Sequence, residues 1–484
     1  MAVPGNDVFF ATVAELNARL VKKEFSAEEL ARAFADRLEQ LGPRYNALAL
    51  SLKEQALRQA HAVDKDFKNE RLRGPLQGVP YAVKDLLSYA GLPTTWGARP
   101  YAAQVFDFNA TVIEKLNGVG AVITAKLSMV ELAGGGGYRS AAASFFGPGL
   151  NPWDLSRWSG GSSSGPAAAV AAGLVPFAIG SETNGSIVTP AAFCGVTALR
   201  PTYGLVSRHG AMALSWTLDK LGPFARSAED CGLILQVIAG KDGQDPGSAG
   251  KGFYYTPQYA RPLTELKIGF AAADFADRPD AAARPAFAAA LETLKACGVK
   301  LVDAKLPAYS YGAVLSTILG AEQASIFEPL ISSGKVDELA DPSQIAGLKA
   351  SLEIPAKDYL KAMRIRRLLQ NAIQSMWGGL DAVVSPARTG IAPKADQPLS
   401  PPPSAASSAT RGPTPPAAPS GLGAITPAGN LAGLPALILP CGFADNMPIA
   451  IQLVGPPWSE NTLLAIGEEF QTRTDWHKRK PAGV

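Results

Sequence analysis

The sequence predicts an α/β protein in which helices surround a central mixed, mostly parallel β-sheet. Short buried β-prone runs alternate with helical patterns, for example over residues 108–132, and such alternation is typical of βαβ units. Hydrophobic residues make up 47% of the 484 residues and charged residues 18%, as in an ordinary globular protein. This length allows up to three domains. We predict one domain spanning residues 1–484.

The charge balance and the cysteines exclude several functions. Lys and Arg total 45 against 42 Asp and Glu, a net charge of +3, which gives no reason to expect nucleic acid or an acidic membrane surface as a partner. We find no signal peptide and no run of about 18 apolar residues, so we expect a cytoplasmic protein without a membrane partner. Cys194, Cys231, Cys297 and Cys441 form no CxxC pair, which favours reduced core thiols over disulfides or a metal site.

Residues 8–68 are predicted to form an N-terminal helical layer. Thr12 and Ser26 each begin a capping box that precedes apolar residues at helical spacing. A strand over residues 46–52 and a third helix over residues 53–67 follow. We expect this layer to serve packing.

Lys84 lies in the segment GVPYAVKD, residues 78–85. Residues 81–83 are β-prone, and Lys84 follows them directly, before two leucines. Such a lysine either extends along apolar surface to reach water, or is desolvated until its pKa falls and it can act as a base. The segment alone favours the first of these interpretations over the second.

Residues 134–137 are four glycines, and Tyr138 follows them. The sequence equally allows a flexible connection and a close approach of the backbone to a ligand. Residues 151–154, NPWD, are a turn signal that leads into the serine-rich region.

Two serine clusters embedded in glycine occupy residues 160–165 and 180–186. An alanine-rich helix is predicted over residues 166–173, which places the first cluster at a helix N-terminus. A buried strand over residues 175–179 would carry the second cluster into a loop at its end. Backbone N–H groups around a serine in such a loop can bind an oxyanion.

The chain contains three histidines, His61, His209 and His477. A zinc site or a Ser-His-Asp triad would rest largely on His209, so the base that activates a serine here is predicted not to be histidine. Residues 161–165 also fit G-x-S-x-G, with Ser163 as nucleophile. That motif requires a preceding strand, and residues 154–158 are not a convincing one. A phosphate-binding loop is disfavoured because no G-K-[ST] follows.

Several ordered motifs together resemble the amidase signature family, and the resemblance covers most of the chain. The family includes amidases, fatty acid amide hydrolases and the A subunit of tRNA-dependent amidotransferases. The motifs lie in a signature core over residues 70–245 and near the C-terminus: 78–85, 151–154, 160–173, 180–190, 193–195, 200–204, 430–435 and 448–455.

The resemblance implies an α/β/α sandwich and a Ser–cis-Ser–Lys triad. By motif, the lysine is Lys84, the bridging serine after a cis peptide bond is Ser162, and the nucleophile is Ser186. The implied oxyanion hole consists of the backbone N–H groups of Thr183, Asn184, Gly185 and Ser186. Neither a metal nor an organic cofactor is implied.

The chain departs from the family's usual residues at Trp158, Ser164, Glu182 and Asn184. None of these is a triad residue, so the departures concern the identity of the substrate. The residues that we expect to contact the substrate are Gly135, Gly136, Tyr138, Trp158 and Trp216.

Strands and helices continue to alternate beyond residue 201. A strand is predicted over residues 266–270, an amphipathic helix over 281–296, mostly helical structure over 310–376 and a buried strand over 380–385. Residues 393–423 are rich in Pro, Ser and Ala. This segment is either a mobile lid over the active site or a disordered surface insertion.

The sequence therefore predicts a serine hydrolase that cleaves the C–N bond of a small-molecule amide as a monomer or homodimer. The same acyl chemistry would serve aryl esters and carbamates (urethanes). The alternative is the glutaminase A subunit of a tRNA-dependent amidotransferase, which works with partner subunits. Aromatic residues such as Tyr138 and Trp216 favour a bulkier, apolar substrate over glutamine. A scaffold that binds a partner through the proline-rich segment is disfavoured, because Lys84, Ser162 and Ser186 are all present.

Overall fold

The computed structural model describes residues 4–399 and 421–484. Thirteen strands lie in these ranges, eleven of them in one central sheet. In chain order they are β1 (Leu48–Ser51), β2 (Pro80–Lys84), β3 (Val122–Leu127), β4 (Leu150–Asn151), β5 (Asp154–Trp158), β6 (Phe177–Glu182), β7 (Thr197–Arg200), β8 (Lys220–Ala225), β9 (Lys267–Phe270), β10 (Lys300–Asp303), β11 (Ala382–Pro386), β12 (Ala436–Ala444) and β13 (Met447–Val454).

Fourteen α-helices in the described ranges pack around this sheet. They are α1 (Val13–Val21), α2 (Ala27–Leu41), α3 (Lys53–Lys68), α4 (Thr111–Gly118), α5 (Ser164–Ala171), α6 (Val188–Cys194), α7 (Ala228–Ile238), α8 (Ala272–Ala276), α9 (Arg284–Ala296), α10 (Tyr311–Ser332), α11 (Pro342–Ser351), α12 (Ala356–Met376), α13 (Ile425–Ala432) and α14 (Glu460–Thr472). None of them is both long and apolar enough to span a membrane.

The central sheet is mixed, as predicted, with strand order β1-β3-β2-β6-β8-β7-β12-β13-β11-β9-β10. Four of its ten neighbouring pairs are parallel, in the blocks β3-β2-β6 and β11-β9-β10. Antiparallel pairs join the two blocks, and the largest of them is the β12–β13 hairpin. Its turn residues Asp445 and Asn446 both have positive φ, which suits a two-residue hairpin turn.

The N-terminal layer forms as predicted. Thr12 and Ser26 both make complete capping boxes, at the starts of α1 and α2. The apolar faces of these helices, including Leu16, Leu30 and Phe34, are fully buried. Helix α3 matches the predicted third helix within one residue.

The segment that carries the serine clusters differs from the prediction in three ways. Helix α5 begins at Ser164, two residues early, and all of its residues are buried. Strand β6 extends to Glu182, so Gly180 and Ser181 lie in a strand and not in the predicted loop. The doubt about a strand at residues 154–158 was wrong: β5 occupies them and pairs with β4 in a separate two-stranded ribbon.

The C-terminal half follows the prediction in α9 to α12, and strand β11 lies at 382–386 where 380–385 was expected. All four cysteines are buried and none forms a disulfide. Most of the predicted lid, residues 400–420, lies outside the described residues.

Candidate active site

Lys84 is the last residue of β2, in the parallel block between β3 and β6, and its side chain has no exposure to solvent. Its Nζ lies 2.7 Å from Ser162 Oγ, 2.9 Å from Ser181 Oγ and 3.1 Å from Ser163 Oγ. Three hydroxyl groups therefore surround the amine. This placement excludes the interpretation of Lys84 as a lysine that reaches surface water.

Burial lowers the pKa of Lys84 to about 7, against the smaller opposite effect of the Asp219 and Glu182 carboxylates. Ser163 cannot donate a hydrogen bond to Lys84, because its hydroxyl donates its one proton to the Ser181 carbonyl oxygen at 3.1 Å. Ser163 Oγ can therefore only accept a hydrogen bond from Lys84. A neutral amine has two N–H donors and one lone pair. Neutral Lys84 can therefore donate hydrogen bonds to two of the three serines and accept one from the third.

Ser162 follows a cis peptide bond from Gly161. Its side chain is fully buried, and its carbonyl oxygen accepts a hydrogen bond from the Val130 N–H at 3.1 Å. Helix α5 begins two residues later. Ser162 thus lies between the sheet, which supplies Lys84, and the N-terminus of a buried helix.

Ser186 lies in the loop between β6 and α6 and lines a cavity of about 380 Å³. It is half-buried, and among the described residues its Oγ has no hydrogen-bond partner. Ser162 and Lys84 are hydrogen-bonded to each other, but Ser186 is not hydrogen-bonded to either. Catalytic hydrogen bonds are often long in the absence of substrate.

The backbone N–H groups of residues 183–186 make no hydrogen bond to any residue in the described ranges. The next two amides, of Ile187 and Val188, donate to the Glu182 carboxylate at 2.8 and 3.0 Å. Gly185 has φ of +88°, which favours glycine. The loop therefore presents unbonded donors beside Ser186, as an oxyanion site requires.

Glu182 stabilises this loop through hydrogen bonds to its carboxylate. Its fully buried carboxylate accepts from Arg200 at 2.7 Å and from Asn430 Nδ2 at 2.9 Å, in addition to the two amides. Burial alone would raise the pKa of Glu182, but the Arg200 guanidinium and the other donors lower it to about 2. Glu182 thus places a permanent carboxylate at the start of α6.

Asp219 fixes the other end of the loop. Its carboxylate accepts from Thr183 Oγ1 at 2.6 Å and from the amides of Leu214 and Ser215 at 2.8 and 2.9 Å. Thr183 and Leu214 also line both of the cavities that meet at the loop. Buried carboxylates therefore anchor the Ser186 loop at both ends.

A second cavity, of about 420 Å³, reaches Ser181 and Thr183 from the other side. Arg208 and Asp245 in its wall form an ion pair at 2.7 Å. The remaining wall includes these apolar side chains: Leu86, Ala133, Ala211, Met212, Ala213, Leu214, Trp216, Leu221 and Pro246. We name this space the apolar cavity and the space beside Ser186 the nucleophile cavity.

The five residues predicted to contact substrate separate into three groups. Tyr138 and Trp158 line the nucleophile cavity with their rings 5.9 Å apart, and Trp216 lines the apolar cavity. Gly135 and Gly136 line neither of these two cavities. The Gly136 amide donates to Gln323 of α10 at 2.9 Å.

The sequence left open whether glycines 134–137 form a flexible connection or allow close approach to a ligand. A Cβ atom at Gly136 would overlap backbone of α11, and a Cβ at Gly135 would lie 3.0 Å from Leu214 Cδ1. Gly136 is therefore a point of close approach to protein. Gly134 and Gly137, at the ends of the loop, line the nucleophile cavity.

The alternative G-x-S-x-G motif finds no support in the site. Ser163 is fully buried and hydrogen-bonded, and β5 before it lies outside the central sheet. His209 lines the apolar cavity away from Ser186. The described residues contain no group of three His, Cys, Asp or Glu side chains placed to hold a metal.

Sequence reasoning missed Ser181, Ser163, Asp219 and Arg388 as residues of the site. Ser181 was visible only as part of the second serine cluster, and Ser163 was considered only as the nucleophile of the alternative G-x-S-x-G motif. Arg388, which lines the nucleophile cavity, follows the strand that was predicted at residues 380–385. Its position directly after a buried strand was the available signal.

The chain is similar to several known proteins over nearly its whole length. A model of the Amidase family matches residues 29–464. The A subunit of glutamyl-tRNA(Gln) amidotransferase from Carboxydothermus hydrogenoformans is 34% identical over 502 aligned positions, which cover 98% of this chain and 99% of that protein. The crystallised peptide amidase of Stenotrophomonas maltophilia is 30% identical, with a TM-score of 0.81 over 96% of this chain and 97% of that one. A bacterial aryl acylamidase, 21% identical, has the same fold, with a TM-score of 0.85 over 99% of this chain and 100% of that one. The chain therefore belongs to the amidase family, the amidase signature enzymes.

Proposed function

We propose that this protein is an amide hydrolase that acts through Lys84, Ser162 and Ser186 and an acyl-enzyme intermediate. The observation that carries the proposal is the contact of buried Lys84 with Ser162 beside a serine loop of unbonded amides. A serine hydroxyl is a weak nucleophile and needs an adjacent base. A lysine with its pKa lowered to about 7 is neutral often enough at physiological pH to be that base.

The proton relay follows from the donors and acceptors. Ser186 Oγ attacks the carbonyl carbon of the amide, and its proton passes to Ser162 Oγ. The proton of Ser162 passes to the lone pair of Lys84 Nζ, 2.7 Å away. When the tetrahedral intermediate collapses, the relay runs in reverse and protonates the leaving amine, because an amide anion is a very poor leaving group.

The loop amides supply the second part of the chemistry. The carbonyl oxygen of the substrate becomes an oxyanion, to which the N–H groups of residues 183–186 donate. Each such donor contributes roughly 10²–10³ in rate. A water molecule then attacks the ester of Ser186, and the same residues take and return its proton.

The two cavities indicate the kind of amide. Thr183, at the start of the loop, belongs to both, so a substrate bound at Ser186 can extend into either. The apolar cavity is large enough for an aryl or branched alkyl group, and its one ion pair is internally satisfied. We propose aryl or bulky alkyl amides as the main substrates, with aryl esters and carbamates as further ones.

Hydrolysis of an anilide, a p-nitrophenyl ester, an aryl carbamate and glutamine tests this assignment. Wild type should hydrolyse the anilide, and Ser186→Ala should lose that activity by at least several hundredfold. Ser159→Ala is the matched control, because Ser159 is a buried serine whose hydroxyl has no hydrogen-bond partner among the described residues. Anilide turnover that survives Ser186→Ala would refute the assignment.

A second candidate is the glutaminase component of an amidotransferase, favoured by the 34% identity to such a protein over nearly the whole chain. Glutamine would then be the preferred substrate, and partner subunits would be needed for full activity. Purification from the native host followed by native mass spectrometry discriminates the two. A stable hetero-oligomer with glutaminase activity supports the amidotransferase component, whereas a monomer or homodimer active on anilides supports the stand-alone hydrolase.

A further inference from the structure

Arg388 is the one charged side chain among the described residues that line the nucleophile cavity. It lies just beyond strand β11, where the Ala387 amide donates to the Ala450 carbonyl oxygen at 2.8 Å and fixes the backbone. A Cβ atom at Gly185 would lie 3.2 Å from one terminal nitrogen of Arg388. The guanidinium therefore lies beside the loop that carries Ser186.

No described carboxylate lies within 4.0 Å of Arg388 to form an ion pair. Within the described ranges its one hydrogen bond goes to the neutral hydroxyl of Thr189, in the first turn of α6. Arg388 lines the cavity, and four of its five N–H groups have no acceptor among the described residues. Arginine is always protonated, so this wall of the cavity carries a fixed positive charge.

The neighbouring arginine shows the contrast. Arg278 lines an adjacent cavity of about 230 Å³, which Arg388 and Asn184 also line. Arg278 is paired with Asp274 at 3.3 Å. Among the described residues, Arg278 is thus neutralised by a carboxylate, whereas Arg388, beside the Ser186 loop, is not.

We propose that Arg388 binds a carboxylate of the substrate, so that the enzyme prefers amides with an apolar group on one side of the scissile carbonyl and a carboxylate on the other. This inference rests on the proposed function and names its substrate class. A carboxylate accepts two parallel hydrogen bonds from a guanidinium, which gives both affinity and orientation. The apolar group would occupy the apolar cavity, on the far side of Thr183.

Two pairs of substrates test the inference. Succinanilate carries the carboxylate on the acyl side, and phenylacetylglycine carries it on the amine side. Each is compared with a neutral analogue in which an isopropyl group replaces the carboxylate. Wild type should prefer the carboxylate in at least one pair, by roughly ten- to a hundredfold in kcat/KM, the usual range for a hydrogen-bonded charge.

Arg388→Gln should abolish that preference, mainly by raising KM for the carboxylate substrate, and Arg388→Lys should retain part of it. Arg278→Gln is the matched control and should leave the preference in place. Equal rates for both members of each pair in wild type, or a preference that survives Arg388→Gln, would overturn the inference. In either case hydrolysis of the neutral analogues that requires Ser186 would leave the proposed function standing, and turnover in Ser186→Ala would refute that function instead.

Discussion

The protonation of Lys84 should set the pH dependence of the enzyme. Its pKa is lowered to about 7 by burial, and only the neutral amine can accept the proton of Ser162. We therefore expect kcat/KM for a neutral anilide to rise with pH through about 7 and to level off above it. The carboxylate of Glu182, with its pKa at about 2, stays ionised throughout this range.

The size of the effect follows from the fraction of neutral amine. One pH unit below the pKa about a tenth of the molecules carry neutral Lys84, and two units below about a hundredth do. The value of kcat/KM should fall about tenfold and then a hundredfold below its plateau. Lys84→Met keeps a similar side-chain volume but has no lone pair that can accept a proton. It should lower the plateau value of kcat/KM by roughly 10²–10⁴-fold, the contribution of a general base.

The assay is kcat/KM on one anilide between pH 5 and 9 at constant ionic strength, with circular dichroism at each pH to verify folding. His209→Gln is the necessary control, because His209 is the one histidine among the described residues that line the two cavities. An inflection near pH 7 should persist in His209→Gln. The residual activity of Lys84→Met should not show it.

Stability gives an independent measurement of the same group. The folded pKa of Lys84 lies below that of an unfolded lysine, so between pH 7 and 10 the unfolded chain binds more protons. The free energy of unfolding of wild type should therefore rise with pH relative to Lys84→Met across this window. A flat pH–rate profile, or an inflection that is lost in His209→Gln, would refute the role of Lys84 as base.

Three further predictions concern the loop, its neighbours and the apolar cavity. Glu182→Ala leaves a buried guanidinium unpaired and should lower the free energy of unfolding by about 3–5 kcal/mol, whereas a melting temperature close to that of wild type would contradict the anchoring role. Gly347→Ala should lower the free energy of unfolding, measured by chemical denaturation, by about 1–3 kcal/mol, because its Cβ would overlap the backbone of Gly136. Its control, Gly312→Ala, has open space around the added Cβ and should not lower this free energy. Leu214→Trp fills the wall shared by the two cavities and should lower kcat/KM for bulky anilides more than for acetamide, and equal losses would show that the apolar cavity does not hold the substrate.

The parts of the fold that depend on local pattern could be predicted from sequence. The capping boxes at Thr12 and Ser26 and the strand before Lys84 depend on residues within a few positions of each other. The approach of Lys84 to Ser162, 78 positions apart, was predicted through the family motifs and not through pattern. Periodicity contains no information about which distant strands become neighbours.

The contacts that were missed depend on strand boundaries and on tertiary pairing. Because β6 extends to Glu182, Ser181 lies within the sheet and its hydroxyl reaches Lys84. A boundary three residues earlier, as predicted, would have left Ser181 in a loop. The Glu182–Arg200 pair joins β6 to β7, which are not neighbours in the sheet, so no local rule could have found it.

The two buried carboxylates beside the Ser186 loop accept hydrogen bonds from the loop and not from Lys84, and this affects the protonation of Lys84. Glu182 occupies the amides of Ile187 and Val188, and Asp219 occupies the hydroxyl of Thr183. Both carboxylates are thus committed to holding the loop, and neither is hydrogen-bonded to Lys84. If either carboxylate formed a direct ion pair with Lys84, the pKa of Lys84 would rise and the amine would stay protonated at neutral pH. The uncharged serines around Lys84 therefore act together with its burial, because they provide hydrogen bonds to the amine without a charge that would hold its proton.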